Sequence, residues 1–110
     1  MKIELEKNEC EKLENFKDGE GYFLRKKYQE DGFIVMNACL KENCSIGLHV
    51  HKNEYEIIRI ISGIGKMICN GEVEILKPGD VHICKENQRH TFKNENKEDL
   101  IFFATVIKSK

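Results

Sequence analysis

The feature that most constrains the fold of this chain is the close spacing of its turn signals. Short segments of alternating or continuous apolar character recur along the sequence, with turn signals between them. No long segment has the 3.6-residue period of an amphipathic helix. This pattern predicts many short antiparallel strands, and hence an all-β sandwich or barrel. The predicted strands are Tyr22–Tyr28, Phe33–Leu40, Ile46–His51, Tyr55–Ile61, Lys66–Cys69, Glu72–Leu76, Val81–Cys84, His90–Lys93 and Leu100–Ile107.

Two local stretches of the sequence add to this pattern, one predicting a hairpin and the other a possible helix. Asn70-Gly71, between apolar flanks, is the strongest hairpin signal in the chain, because a type I′ turn needs positive φ at both central residues. The one helical candidate is Lys7–Phe16, which precedes the β region. The expected N-terminal segment is therefore short and irregular or helical.

Composition and charge narrow the classes of partner. At 110 residues the chain has room for one domain, residues 1–110, with a single core. Lys and Arg total 18, Asp and Glu total 19, and the net charge is −1, which gives no electrostatic reason to expect nucleic acid or an anionic membrane. Five cysteines occur without a Cys-x-x-Cys pair, and no apolar run approaches the roughly 20 residues of a membrane span. We therefore expect a cytoplasmic protein with reduced thiols.

Two of the four histidines, His49 and His51, are separated by one residue. In a strand such residues face the same side, roughly 6.5–7 Å apart, and both imidazoles can bind one ion at about 2.1 Å. Lys52-Asn53 indicates a turn, after which a strand starting near Glu54 would direct Glu56 toward the two histidines. Glu54 is the rival carboxylate and is expected to be exposed.

A third histidine, His90, follows the Glu86-Asn87 turn and opens a new strand. This placement lets it approach the same site from a neighbouring strand. Three imidazoles and a carboxylate are a suitable donor set for a transition metal.

These residues also form two motifs that resemble those of the cupin superfamily, and in particular its small single-domain metal-binding members. The first motif, G-x5-H-x-H-x3,4-E-x6-G, is matched with asparagine at its first position. The second is matched loosely, with a variable loop before its histidine. The run from Ser45 to His51 followed by Glu56–Gly63 is similar to a sequence typical of the small cupins. The matching positions are Asn43, His49, His51, Glu56 and Gly63 in the first motif and Gly71, Pro78, Gly79, His90 and Asn94 in the second.

The resemblance covers about four fifths of the chain and implies both a fold and a ligand set. The fold is a double-stranded β-helix, or jelly-roll barrel, with its core at about residues 19–107. The implied metal ligands are His49, His51, Glu56 and His90; Glu54 lies too close to His51 for the family spacing.

Departures from the family pattern at four positions leave the ligand positions untouched. Asn43 and Asn87 stand where glycine is usual, and asparagine is the other residue that best tolerates the left-handed conformation. Lys85 replaces a common proline and Arg59 a common tyrosine. Arg59 is expected to form a surface ion pair or a subunit contact, facing away from Glu56.

The implied cofactor is a divalent transition metal (Mn, Fe, Ni or Zn) with two coordination positions left open for a ligand. The first hypothesis is an enzyme acting on a small oxygenated molecule by dioxygenation, decarboxylation or isomerisation, with no catalytic residue assigned. The second is a small-ligand-binding or sensing protein without turnover, and the third a metal-free barrel. A homodimer is also expected, because Ile57 and Ile61 make the outer face of their strand apolar.

Several other side chains carry weaker expectations. His82 is assigned a structural or outer-face role in preference to a place beside the ligands, with Val81 and Ile83 filling the other face of the strand. Cysteines 39, 69 and 84 are expected to be small core or sheet-face residues. The barrel-lining candidates are Tyr22, Tyr28, Met36 and Asn37.

Overall fold

The computed structural model describes residues 1–109, so that Lys110, the last residue of the predicted domain, lies outside the described part. Two short 3₁₀ helices, Leu5–Lys7 and Phe16–Asp18, lie near the N-terminus. The remaining elements are strands: β1 (Glu11–Glu14), β2 (Tyr22–Glu30), β3 (Phe33–Leu40), β4 (Ser45–Val50), β5 (Glu54–Ser62), β6 (Gly65–Cys69), β7 (Glu72–Leu76), β8 (Val81–Cys84), β9 (Arg89–Lys93) and β10 (Leu100–Lys108).

The strands form two antiparallel sheets, one in the order β1-β2-β3-β10-β5-β8 and the other in the order β4-β9-β6-β7. The all-β jelly-roll prediction is confirmed. The expected closed barrel is not found. Within residues 1–109 no ladder joins the two sheets, because β1, β8, β4 and β7 are edge strands, each paired on one side only. The molecule is a sandwich of two facing sheets.

All nine predicted strands are present, with ends displaced by at most two residues. The turns behave as expected: Asn70 and Gly71 both have positive φ, and so do the two asparagines that replace glycine, Asn43 and Asn87. Positive φ at Asn53 marks the turn between β4 and β5, which resets the alternation of side chains before Glu56.

The candidate helix over Lys7–Phe16 is not found. The middle of that segment, Glu11–Glu14, is β1, which pairs with β2 in the register Glu11↔Arg25 to Glu14↔Tyr22. Asn15 and Lys17 have left-handed backbone angles, which stop a helix from continuing there. Pairing with β2 outweighs a weak local preference for helix.

The hydrophobic core fills the space between the sheets, where β10 supplies Leu100, Phe102 and Ala104 from the middle of the larger sheet. Phe92 of β9 meets Phe102 edge-on, with 5.1 Å between ring centroids. Polar side chains lie between the same sheets at the ends of β4 and β9, beside this packed core. Residues 1–109 contain no helix long and apolar enough to cross a membrane.

Candidate metal centre

The structure brings the four predicted ligands together from three strands. His49 lies on β4 directly opposite His90 of β9 in the antiparallel register. His51 immediately follows β4, and its backbone is tied to the turn before β9 by hydrogen bonds with Gln88 and Asn87. Glu56 points inward from β5, on the same face as the buried Ile58. Strand alternation and one turn therefore place all four side chains at one spot.

The ligand atoms lie at short, nearly equal separations. The Nε2 atoms of His49 and His51 are 3.2 Å apart, those of His51 and His90 are 3.1 Å apart, and those of His90 and His49 are 3.2 Å apart. Glu56 Oε1 lies 3.2 Å from His51 Nε2 and 3.1 Å from His90 Nε2. It makes no ion-pair contact with His49, although all four atoms lie within 4.8 Å of one another.

These separations fit one six-coordinate ion. With bonds of about 2.1 Å, neighbouring ligands of an octahedral ion are about 3.0 Å apart and opposite ligands about 4.2 Å apart. The five short contacts correspond to neighbouring positions, and the longer separation between Glu56 and His49 corresponds to opposite ones. The residues present therefore fit a transition metal ion, and the cluster can hold one.

Each of the three histidines has its other ring nitrogen held by an acceptor. His49 Nδ1 donates to the Gly47 carbonyl at 2.7 Å, and His51 Nδ1 donates to Glu54 Oε1 at 2.8 Å. Because Nδ1 carries the proton in the neutral form of these rings, each Nε2 of that form presents a lone pair to the centre of the cluster, whereas a His51 or His90 ring that takes up a second proton donates Nε2–H to Glu56. Lone pairs facing one another at such distances repel unless a cation or a proton lies between them.

His90 takes its acceptor from His82. His90 Nδ1 and His82 Nε2 are 3.1 Å apart, and His82 Nδ1 donates to Glu74 Oε1 at 2.7 Å. The predicted outer-face role of His82 is wrong: its side chain is buried, while its neighbours Val81 and Ile83 are exposed. On this edge strand the polar residue faces inward and the apolar ones outward. A Glu74–His82–His90 chain thus leads from the surface to the cluster.

The surroundings shift the pKa values of the cluster in different directions. Burial lowers the pKa of His49 to about 4, so that this ring is neutral at neutral pH. Burial also acts to lower the pKa of His51, but hydrogen bonds to Glu56 and Glu54 outweigh it and raise that pKa. For Glu56, burial acts to raise the pKa, and the hydrogen bonds from His51 and His90 reverse this and lower it to about 2.

Glu54 is half-buried, whereas the sequence predicted an exposed side chain, and it orients His51. Sequence spacing alone gave no signal for that role. The backbone beside the cluster is also closely packed. A Cβ at Gly47 would lie 1.9 Å from the Lys17 carbonyl oxygen, so only glycine fits next to the carbonyl that orients His49.

A cavity of about 170 Å³ opens onto the cluster. Its walls are mostly apolar, and Lys17 and Arg25 add positive charge. Of the four barrel-lining candidates only Met36 lines this cavity, because the side chains of Tyr22, Tyr28 and Asn37 lie elsewhere. Arg25 is largely buried and pairs with Glu11, with its Nε 3.0 Å from Glu11 Oε1.

Arg59 is exposed and points away from Glu56, as predicted, and it makes no ion pair with any residue of the described part.

The cysteines differ in how far they are buried. Cys84 is fully buried, and Cys39 and Cys69 are partly buried. All five cysteines are described and none forms a disulfide.

Comparisons with known proteins agree with this fold. The family described as "Cupin domain" matches residues 36–106. An "Oxalate-binding protein" of Thermotoga maritima is 30% identical over 103 residues, covering 88% of this chain and 85% of the relative. A solved structure from the same organism, described as a "predicted oxalate decarboxylase", has a TM-score of 0.92 at 26% identity, covering 98% of this chain and 99% of the other. KdgF from Halomonas sp., at 14% identity, shares the fold with a TM-score of 0.79 over 98% of this chain and 94% of its own.

Proposed function

The chain belongs to the cupin domain family, as its motifs predicted, and on that premise we propose that it is a metal-dependent enzyme acting on a small oxygenated anion of the oxalate class. The proposed metal ligands are His49, His51, Glu56 and His90. The metal is a divalent transition ion (Mn, Fe, Ni or Zn), since mixed nitrogen and oxygen donors suit each of these.

The observation that carries the proposal is the set of three Nε2 atoms and one carboxylate oxygen with five mutual separations of 3.1–3.2 Å, and with each histidine's Nδ1 held by its own acceptor. The hydrogen bonds to the Nδ1 atoms therefore preorganise the cluster for a cation. Four protein ligands would leave two positions of an octahedral ion open. When bound, the ion would supply Lewis-acid polarisation of a substrate oxygen.

The cavity supports a small anionic substrate. A volume of about 170 Å³ suits a molecule of a few heavy atoms, and the charges of Lys17 and Arg25 at its wall favour an anion. The salt bridge to Glu11 holds the Arg25 guanidinium in place. Apolar side chains such as Phe23, Met36 and Phe102 limit water around the bound molecule. The names of the two Thermotoga relatives make oxalate the first compound to test.

A second candidate is a protein that binds the same anion without converting it. Besides the four proposed ligands, the cavity is lined by three charged side chains, Lys17, Arg25 and Glu54. Arg25 and Glu54 are already engaged with Glu11 and His51, which leaves no free general base beside the site. The printed name of the curated relative, an oxalate-binding protein, favours this candidate.

One set of measurements separates these functions. Metal-free protein is reconstituted with each divalent ion, metal content is determined by mass spectrometry, and oxalate binding is measured by calorimetry. ¹³C-oxalate is then followed by NMR for formate and carbon dioxide. The enzyme proposal expects metal-dependent binding and product formation. Binding without product supports the second candidate, and the absence of stoichiometric metal after reconstitution contradicts both.

Two accompanying predictions concern assembly and location. The outer face of β5 and β8 exposes Ile61, Val81 and Ile83, which supports the proposed homodimer. Light scattering at micromolar concentration should then report twice the chain mass, and a monomer would contradict it. A cytoplasmic location, proposed from the unpaired thiols, is checked by fractionation of cells that produce the protein.

A further inference from the structure

We propose that Cys69, His82 and Cys84 form a second metal site, next to the first and selective for a thiolate-binding ion of the Zn²⁺ class. Thiolate ligands select zinc and similar soft ions, whereas the first cluster offers only nitrogen and oxygen donors. The second site does not depend on the function proposed for the first.

The topology brings these three side chains together from both sheets. Cys69 ends β6 of the smaller sheet, and His82 and Cys84 lie two residues apart on β8 of the larger sheet, so that both face inward. One ligand atom from each residue lies within 4.8 Å of the other two. A tetrahedral ion with bonds of about 2.3 Å to sulfur and 2.0 Å to nitrogen needs ligand separations of about 3.6–3.8 Å. Small side-chain movements would close the site.

Cys84 is placed differently from an ordinary core cysteine. It is fully buried, yet it lies outside the cluster of buried apolar residues that forms the core between the sheets. Its Sγ lies 3.7 Å from the Gln88 carbonyl oxygen and beside the Cys69 thiol and the His82 ring. A buried thiol beside a partly exposed thiol and an imidazole offers the donor set that a thiolate-binding ion takes.

The protonation chemistry of the site suits exchange of protons for an ion. Burial raises the pKa of Cys84 to about 12, with a further contribution from Cys69, so both thiols are protonated at neutral pH in the absence of a metal. Binding one divalent ion would deprotonate both thiols, form two metal–sulfur bonds and release two protons to the buffer. No oxidant is needed for this step.

His82 can supply its Nδ1, which is held by Glu74, whose side chain is 47% exposed. An ion bound at Nδ1 would keep the negative charge of Glu74 close by, and the Nδ1 proton would move to Nε2, so that the ring stays neutral and only the two thiol protons are released. Nε2 would then no longer accept the hydrogen bond from His90 Nδ1, so filling the second site should loosen the hold on His90. Cys69 is partly exposed, which gives the ion a path from solvent.

The test uses the full chain with reduced thiols under anaerobic conditions and with the first site filled by Mn²⁺. Co²⁺ is then added as the spectroscopic probe. We expect a further equivalent of Co²⁺ to bind with the near-ultraviolet charge-transfer band of a cobalt–thiolate bond, a band that nitrogen and oxygen ligands cannot give. Calorimetry in two buffers of different protonation enthalpy should report the proton release.

Three variants assign the band to its ligands. Cys69→Ser and Cys84→Ala should each lose it, and Cys69→Ser alone suffices if the buried Cys84 variant does not fold. Cys39→Ser, which removes a half-buried thiol elsewhere, should keep the band. The proposal is overturned if reduced wild type gives no band, if the band survives in Cys69→Ser, or if it disappears in Cys39→Ser. Recovery of a Cys69–Cys84 disulfide after anaerobic reduction also overturns it, since the pair would then be a redox element.

Discussion

The hydrogen-bond chain from Glu74 through His82 to His90 makes a graded prediction about metal affinity at the first site. Glu74 Oε1 is 2.7 Å from His82 Nδ1, and His82 Nε2 is 3.1 Å from His90 Nδ1. These hydrogen bonds fix the His90 tautomer and increase the basicity of His90 Nε2. Changes to groups that hold a metal ligand in this way weaken metal binding by roughly 10- to 100-fold, about 1.4–2.7 kcal/mol.

Two substitutions should weaken metal binding by different amounts within that range. Glu74→Gln keeps an amide oxygen that accepts the Nδ1 hydrogen bond but removes the charge, whose effect is already screened because the side chain is 47% exposed. Glu74→Gln should therefore weaken metal binding about tenfold. His82→Gln removes the ring that holds His90 Nδ1, so this variant should bind the metal about 100-fold more weakly than wild type.

The assay is calorimetric titration of metal-free protein with Mn²⁺, an ion that does not favour the thiols of β6 and β8. Glu72→Gln, an exposed change on the same strand as Glu74, is the matched control and should bind as wild type does. Circular dichroism checks that each variant is folded. Wild-type affinity in His82→Gln, or a larger loss in Glu74→Gln than in His82→Gln, would refute the reasoning.

Three further predictions concern the cluster and its support. His49→Ala should abolish most metal binding, measured by metal analysis, while thermal unfolding of the metal-free protein changes little, because its side chain is only partly buried. Asn94→Ala removes a fully buried amide that makes three hydrogen bonds to backbone groups, and urea unfolding should show a loss of about 2–4 kcal/mol. In the metal-free protein, the lowered pKa of Glu56 contributes stability that is complete above about pH 4.5 and is lost as pH falls toward 2. Glu56→Gln should remove that part of the pH dependence, and an unchanged acid-unfolding profile would count against the ion pairs with His51 and His90.

The strands were predictable because turns are encoded locally. Asparagine and glycine at positive φ, as in Asn70-Gly71, specify where the chain reverses, and apolar alternation fills the segments between. The N-terminal segment was not predictable by the same means. The conformation of Glu11–Glu14 is set by pairing with β2, a long-range contact that no local pattern reports.

His82 shows where the alternation of a strand stops being informative. The sequence correctly places His82 and Cys84 on one face of β8 and Val81 and Ile83 on the other, but it does not say which face is buried. Assigning the apolar pair to the interior fails here, because β8 is an edge strand whose outer face is apolar. Cys84 was the available signal, since cysteine is among the residue types most often fully buried.

The four proposed ligands and the groups that orient them differ in how a sequence encodes them. The ligands follow strand alternation and one turn, and both recur in the spacing of the family motif. The three acceptors come from unrelated sources: a backbone carbonyl at Gly47, a carboxylate at Glu54 and a second imidazole at His82. Glu54, at the start of β5, and His82, on β8, each come from the sheet opposite the histidine that they orient. A motif can therefore predict which atoms would meet a metal, while the basicity and orientation of those atoms depend on how the two sheets pack.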